Sequence, residues 1–134
     1  MAMENDQRFV DWQYPEIEEG KPTEYNWVVQ NKDGLRLGYK TDIGAFTYIN
    51  AKNGVTIEDF VQIGSHCSIY SVSTICGKTG PVTLKKGCRV GSHSVVMPGV
   101  TIGENAVVGA FSFVNADIPD NAIAYGVPAK VAKG

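Results

Sequence analysis

Residues 82–114 read VTLKKGCRVGSHSVVMPGVTIGENAVVGAFSFV, and they decide the fold. Leu84, Val90, Val96, Ile102, Val108 and Val114 recur at every sixth place. Upstream the same beat runs through Leu37, Ile43 and Ile49, then Ile57, Ile63, Ile69 and Ile75. Two interruptions, from Ile49 to Ile57 and from Ile75 to Leu84, separate the three runs. Four places after each aliphatic residue stands a mostly small one, such as Thr47, Cys67, Ser94, Ala106 or Ser112. A period of six is neither the 3.6 of a helix nor the 2 of a strand, and it marks a stacked repeat.

Such a repeat has a direct physical reading. A short strand points one bulky aliphatic side chain inward, a turn follows, and the small residue fills the corner. Glycine after the aliphatic residue, as at Gly38, Gly44, Gly64, Gly91, Gly103 and Gly109, is expected to supply backbone angles closed to other residues. Three hexads close one triangular coil, and each coil bonds to the next at the parallel-strand spacing of about 4.8 Å. No hexad buries its face alone, so the stack folds as a unit. The expectation is an all-β parallel β-helix of a little over four coils over 37–134, preceded by an N-terminal extension over 1–36. Within that extension NWVVQ, NKDG and LRLG suggest a capping hairpin over 26–38.

Composition narrows the function. A chain of 134 residues suits one domain. No apolar run reaches membrane-spanning length, and the opening MAMENDQRF is polar and acidic, which argues against a secretion signal. Three cysteines at 67, 76 and 88 fit free thiols in a reducing cytoplasm better than disulfides or a metal cluster. The net charge of −2 is divided unevenly. Residues 1–59 carry six basic and eleven acidic side chains, and 60–134 carry six basic and three acidic. A basic C-terminal half favours an anionic ligand, but no lysine- and arginine-rich patch interleaved with aromatics points to nucleic acid. Gly77-Lys78-Thr79 lacks the glycine at position 72 that a phosphate loop requires, since Val72 stands there.

Gly99-Val100-Thr101-Ile102-Gly103, the run 107–110, Asp117-Ile118-Pro119-Asp120-Asn121 and Gly126-Val127-Pro128-Ala129-Lys130-Val131 resemble the hexapeptide-repeat acyltransferases. The likeness is to the sugar O-acetyltransferases and nucleotide-sugar N-acyltransferases. It implies a left-handed β-helix, a homotrimer with sites between subunits, and acetyl-CoA as acyl donor. It also implies that Gly91, Ser92, Gly109 and Ala110 border the pantetheine arm and that Lys130 meets the CoA phosphates. The acceptor implied is a sugar or nucleotide-linked sugar, through a hydroxyl or an amine.

Transfer to such an acceptor needs a proton acceptor, and histidine suits that at neutral pH. The chain has two, His66 and His93, both at the fourth place of a hexad, where the side chain points outward. With the second interruption counted as three residues, they fall on different corners and do not meet within one subunit. Both are candidate bases, and a mechanism without histidine also stands for an amine acceptor. The sequence departs from the family in two places. The loop around Cys76–Pro81 lacks the histidine that galactoside acetyltransferases carry there, and Ala116 replaces a frequent lysine. These departures keep a non-catalytic trimeric scaffold or binding protein open as the alternative. Two histidines are too few for the three-histidine zinc site of a related β-helix carbonic anhydrase.

Overall fold

The computed structural model describes residues 9–134, so residues 1–8 of the expected N-terminal extension lie outside it. The described chain contains fifteen strands. They are β1 (Val28–Gln30), β2 (Leu35–Leu37), β3 (Asp42–Ile43), β4 (Tyr48–Asn50), β5 (Val55–Ile57), β6 (Gln62–Ile63), β7 (Ser68–Tyr70) and β8 (Val82–Leu84). Then come β9 (Arg89–Val90), β10 (Val95–Val96), β11 (Thr101–Ile102), β12 (Val107–Val108), β13 (Phe113–Val114), β14 (Ile123–Gly126) and β15 (Ala129–Lys133). Up to β13 every third strand pairs in parallel, and β14 then joins β12. The first face is β1-β4-β7-β10-β13, the second is β2-β5-β8-β11, and the third is β3-β6-β9-β12-β14, closed by the antiparallel β15. This is a parallel β-solenoid with a triangular section.

The core is the inward row the period predicted. Ile49, Ile57, Ile63, Ile69, Leu84, Val90, Val96, Ile102, Val108 and Val114 are all buried in one continuous cluster. Burying each is worth about 1.5–3 kcal/mol. Strand length is only two to four residues for β1 to β14, so no strand is stable alone and the stack supplies the cooperativity.

Three expectations need correction. Residues 26–38 do not form a hairpin. Strand β1 pairs in parallel with β4, and β2 with β5, so the two are successive sides of the first coil, joined by a tight 3-10 turn at Lys32–Gly34. The Asp-Gly signal marked a turn correctly, but Val29 and Trp27 had an aliphatic core to enter, and the stack outcompeted local pairing. Consequently the first face has five strands and the solenoid close to five turns, not a little over four. Ile75 is not a core residue. It is 98% exposed, on a loop that leaves the first-to-second corner after Ser71 and returns at Pro81. The bonds Gly80 N–H to Ser71 O (2.9 Å) and Ser73 N–H to Lys78 O (2.8 Å) close that loop on itself.

The glycine reading also changes. Gly44 and Gly91 do not have positive φ; that conformation falls at the outermost corner positions, among them Phe46, His66, His93 and Phe111. The glycines are required because the next coil passes against them. A Cβ on Gly91 would lie 2.5 Å from the Ala110 nitrogen, closer than real contacts allow.

Residues 9–25 run over the top of the prism. The Trp12 indole N–H donates to the Thr41 carbonyl at 2.9 Å, and Phe9 packs with Phe60.

Candidate functional site

The third-to-first corner repeats once per coil, and its four outermost residues form a column. Phe46 meets His66 with ring centroids 5.1 Å apart and planes tilted by 40°. His66 and His93 are 4.7 Å apart and 4° from parallel, and His93 and Phe111 are 4.9 Å apart and 3° from parallel. The separations match the inter-coil rise, because each ring leaves an equivalent backbone position in the next coil. All four have φ between 57° and 65°. The same amide pattern holds each turn: His66 N–H donates to Ala45 O, His93 N–H to Ser65 O, and Phe111 N–H to Ser92 O.

The two histidines therefore share one corner and touch, contrary to the expectation from sequence. The cause is the loop. Ser68 pairs with Val95, a step of 27 residues where the last regular coil, from Val95 to Phe113, takes 18. Nine residues leave the stack, not three, and Ile75 falls in phase only by coincidence. Phe46 and Phe111 were not singled out from the sequence. Both stand three places after an inward aliphatic residue, as His66 and His93 do, and that shared phase was the available signal.

Behind the rings lies a second column of small polar side chains. Thr47 Oγ1 donates to Gly64 O at 2.9 Å, Cys67 Sγ to Gly91 O at 3.2 Å, and Ser94 Oγ to Gly109 O at 3.2 Å. Ser112 Oγ donates to Gly109 O at 2.6 Å and accepts from Gly126 N–H at 3.2 Å. The small residue of each hexad thus both fits the corner and satisfies a carbonyl that the turn leaves without a strand partner. These bonds fix the positions of the rings outside them.

The residues expected to border CoA lie on the same edge. Gly91 and Ser92 precede His93 in its turn; Gly109 and Ala110 precede Phe111 in the turn stacked against it. Lys130 lies on β15 opposite Tyr125 of β14, and the Tyr125 Cβ lies 2.9 Å from where a Cβ on Gly109 would be. Tyr125 and Lys130 are exposed. The edge therefore joins two imidazoles, two glycine turns and a cation at the C-terminal end.

The thiols divide by position. Burial raises the Cys67 thiol and pushes Cys88 up to about 12, with the nearby Glu58 charge adding to the latter. Both stay protonated and unreactive. Cys76, on the exposed loop, is lowered first by its hydrogen bond with the Ser73 side chain and next by the Lys78 backbone. Among the described residues, no group of three histidine, cysteine or carboxylate side chains converges as a metal site. No described helix is long and apolar enough to cross a membrane.

Residues 81–116 match the bacterial transferase hexapeptide family (six repeats). Galactoside O-acetyltransferase of Escherichia coli K12 is 51% identical over 53 residues, covering 40% of this chain and 26% of that protein. The dTDP-3-amino-3,6-dideoxy-α-D-galactopyranose 3-N-acetyltransferase of Aneurinibacillus thermoaerophilus is 52% identical over 52 residues, covering 39% and 27%. A hexapeptide-repeat acetyltransferase of Vibrio cholerae, solved with acetyl-CoA, superposes with a TM-score of 0.76 at 26% identity, over 81% of this chain and 64% of that one. Over 81–116 the chain carries the bacterial transferase hexapeptide repeat, and its fold is that of the hexapeptide-repeat acetyltransferases. It spans from about a quarter to a little over half the length of the curated relatives it matches, the widest alignments covering 57% of theirs. The strongest identity to these acetyltransferases thus lies in a short part of the chain, and the superposition extends the likeness in fold to 81% of it.

Proposed function

We propose that this protein transfers an acyl group, acetyl in the first instance, from acyl-CoA to a hydroxyl or amine of a sugar or nucleotide-linked sugar. One observation carries the reading. The His66–His93 stack stands on the same exposed edge as the Gly91–Ser92 and Gly109–Ala110 turns, with Lys130 at its C-terminal end. The relatives supply the donor and acceptor classes. One is named for a galactoside acceptor, another for an amino sugar, and a third was solved with acetyl-CoA.

On this reading the CoA phosphates meet Lys130 and the pantetheine follows the glycine turns toward the histidines. The acceptor oxygen or nitrogen attacks the thioester carbonyl, and one imidazole takes the acceptor's proton. The C–S bond breaks, and the leaving thiolate is protonated to free CoA. His66 and His93 are the candidate bases; among the described residues no carboxylate hydrogen-bonds either ring. The exposed edge, with Phe46 at 64% and Phe111 at 68%, is left for neighbouring copies to cover in a homotrimer. The three free thiols suit the cytoplasm.

The test is a thermal-shift titration with acetyl-CoA followed by turnover against free and nucleotide-linked sugars. Binding should stabilise by RT ln(1 + [L]/Kd). Lys130→Ala should weaken acetyl-CoA binding by about 1–3 kcal/mol, the range for losing a charged hydrogen bond, and leave the fold intact because Lys130 is exposed. No shift with acetyl-CoA and no turnover would give the protein to the scaffold reading.

A further inference from the structure

The four rings of the corner column stand in a fixed order along the exposed edge. From the Lys130 end they run Phe111, His93, His66, Phe46, at centroid steps of 4.9, 4.7 and 5.1 Å. The two imidazoles are held as a pair from behind. The His93 backbone N–H donates at 3.0 Å to the carbonyl of Ser65, in the turn that carries His66, and the His66 backbone N–H donates at 2.9 Å to Ala45 O. The rings themselves are not tied. Both histidines are exposed, and among the described residues nothing hydrogen-bonds a nitrogen of either ring. Two groups able to carry a proton thus face outward one coil apart, with their nitrogens free.

The order of the rings sets the order of the reacting atoms. Of the two turns set against the pantetheine, the one farther from Lys130 is Gly91–Ser92, and it also carries His93. A donor entering from Lys130 therefore brings its sulfur, which ends the pantetheine arm, to the level of His93. The acyl carbonyl and the attacking acceptor lie beyond it, at the level of His66. In the tetrahedral species the attacking atom and the sulfur are substituents of one carbon, pointing apart. Two imidazoles 4.7 Å apart bracket such a carbon. Each can then come within the reach of about 2.6–3.2 Å that proton transfer needs.

We propose that the two histidines divide the proton transfers, His66 as the base that takes the acceptor's proton and His93 as the acid that protonates the leaving sulfur. The assignment rests on the transferase reading above. The acceptor's oxygen or nitrogen forms a bond to the thioester carbon and gives its proton to neutral His66. The carbonyl pair moves onto oxygen and returns, the C–S bond breaks, and its electron pair takes the proton of the His93 imidazolium. The products are the acylated sugar and free CoA, with His66 left charged and His93 neutral. Solvent at the exposed rings returns that proton from His66 to His93, so no further reactant is consumed. The pair holds one proton at rest and one after transfer, which avoids two like charges on parallel rings 4.7 Å apart.

Leaving-group chemistry tests the division. Acetyl transfer by the full chain is measured from acetyl-CoA and from its selenoester analogue, whose selenolate departs without a proton. The acceptors are glucose, glucosamine, UDP-glucose and UDP-glucosamine. His66→Phe and His93→Phe keep a ring in the column, so circular dichroism should show both folded. Relative to wild type on the same donor, His93→Phe should lose about 10²-fold with acetyl-CoA and recover most of that loss with the selenoester. His66→Phe should lose activity to the same extent with both donors. A structural role at position 93 would lower both donors equally, and that result would overturn the division. So would selective recovery of His66→Phe by the selenoester, or full turnover in both variants. In each of those cases an active wild type leaves the transferase reading in place. A wild type inactive with both donors on all four sugars would take away that reading and this inference together.

Discussion

Replacing Gly44 with alanine should be among the most damaging single-methyl changes in this chain. The added Cβ would lie 2.4 Å from the Ser65 nitrogen, 2.6 Å from the Gly64 carbonyl carbon and 2.7 Å from the Ser65 Cα. Ordinary contact begins near 3.4 Å, so the two coils must part locally by about 3.4 − 2.4 = 1.0 Å. All three obstructing atoms are backbone, so no side chain can swing aside. The displaced turn is held by Gly44 N–H to Ile63 O at 2.8 Å, Thr47 Oγ1 to Gly64 O at 2.9 Å, and Cys67 N–H to Thr47 Oγ1 at 3.2 Å. At about 0.5–1.5 kcal/mol net for each bond, losing two or three costs roughly 1–4.5 kcal/mol, in line with other overpacked interiors. Gly77→Ala is the contrasting case. Its φ is +71° with nothing within 4 Å, so it should cost about 1–2 kcal/mol through backbone strain alone. Guanidinium unfolding followed by circular dichroism and by the fluorescence of Trp12 and Trp27 measures both. A Gly44→Ala protein within 0.5 kcal/mol of wild type, or one hurt less than Gly77→Ala, would refute the close-approach account.

Ile75→Ala should change stability by less than about 0.5 kcal/mol, because the side chain is exposed, whereas Ile69→Ala should cost about 2–5 kcal/mol; chemical denaturation of the pair checks this. For Cys88, the folded pKa of about 12 stands above the free-thiol value of 9.0. The buried thiol's contribution is therefore complete below pH 9 and lost as pH rises from 9 toward 12. Urea midpoints taken across that window should fall more steeply for wild type than for Cys88→Ala. If either histidine is the base, His66→Ala or His93→Ala should lower kcat by about 10²–10⁴-fold. Each should also cost about 0.5–1.5 kcal/mol of stacking. The matching phenylalanine variants should recover the stability and not the turnover; full turnover in all four would remove histidine from the chemistry.

The sequence by itself determined the architecture. An aliphatic residue at every sixth place, followed four later by a small one, admits few other packings, and the buried row from Ile49 to Val114 follows it closely. It also showed that His66 and His93 point outward, because the fourth place of a hexad is always the outer corner. What it left to the tertiary structure is phase. Periodicity is a local property, and across the 72–81 interruption nothing local states how many residues leave the stack. Ile75 kept the beat while standing in solvent. Only the non-local register of Ser68 with Val95 sets the excursion at nine residues and stacks His93 on His66. The same reason explains the first coil. The turn at Asp33-Gly34 was legible, but whether β1 turned back on β2 or lay along β4 depended on a hydrogen-bond partner twenty residues away.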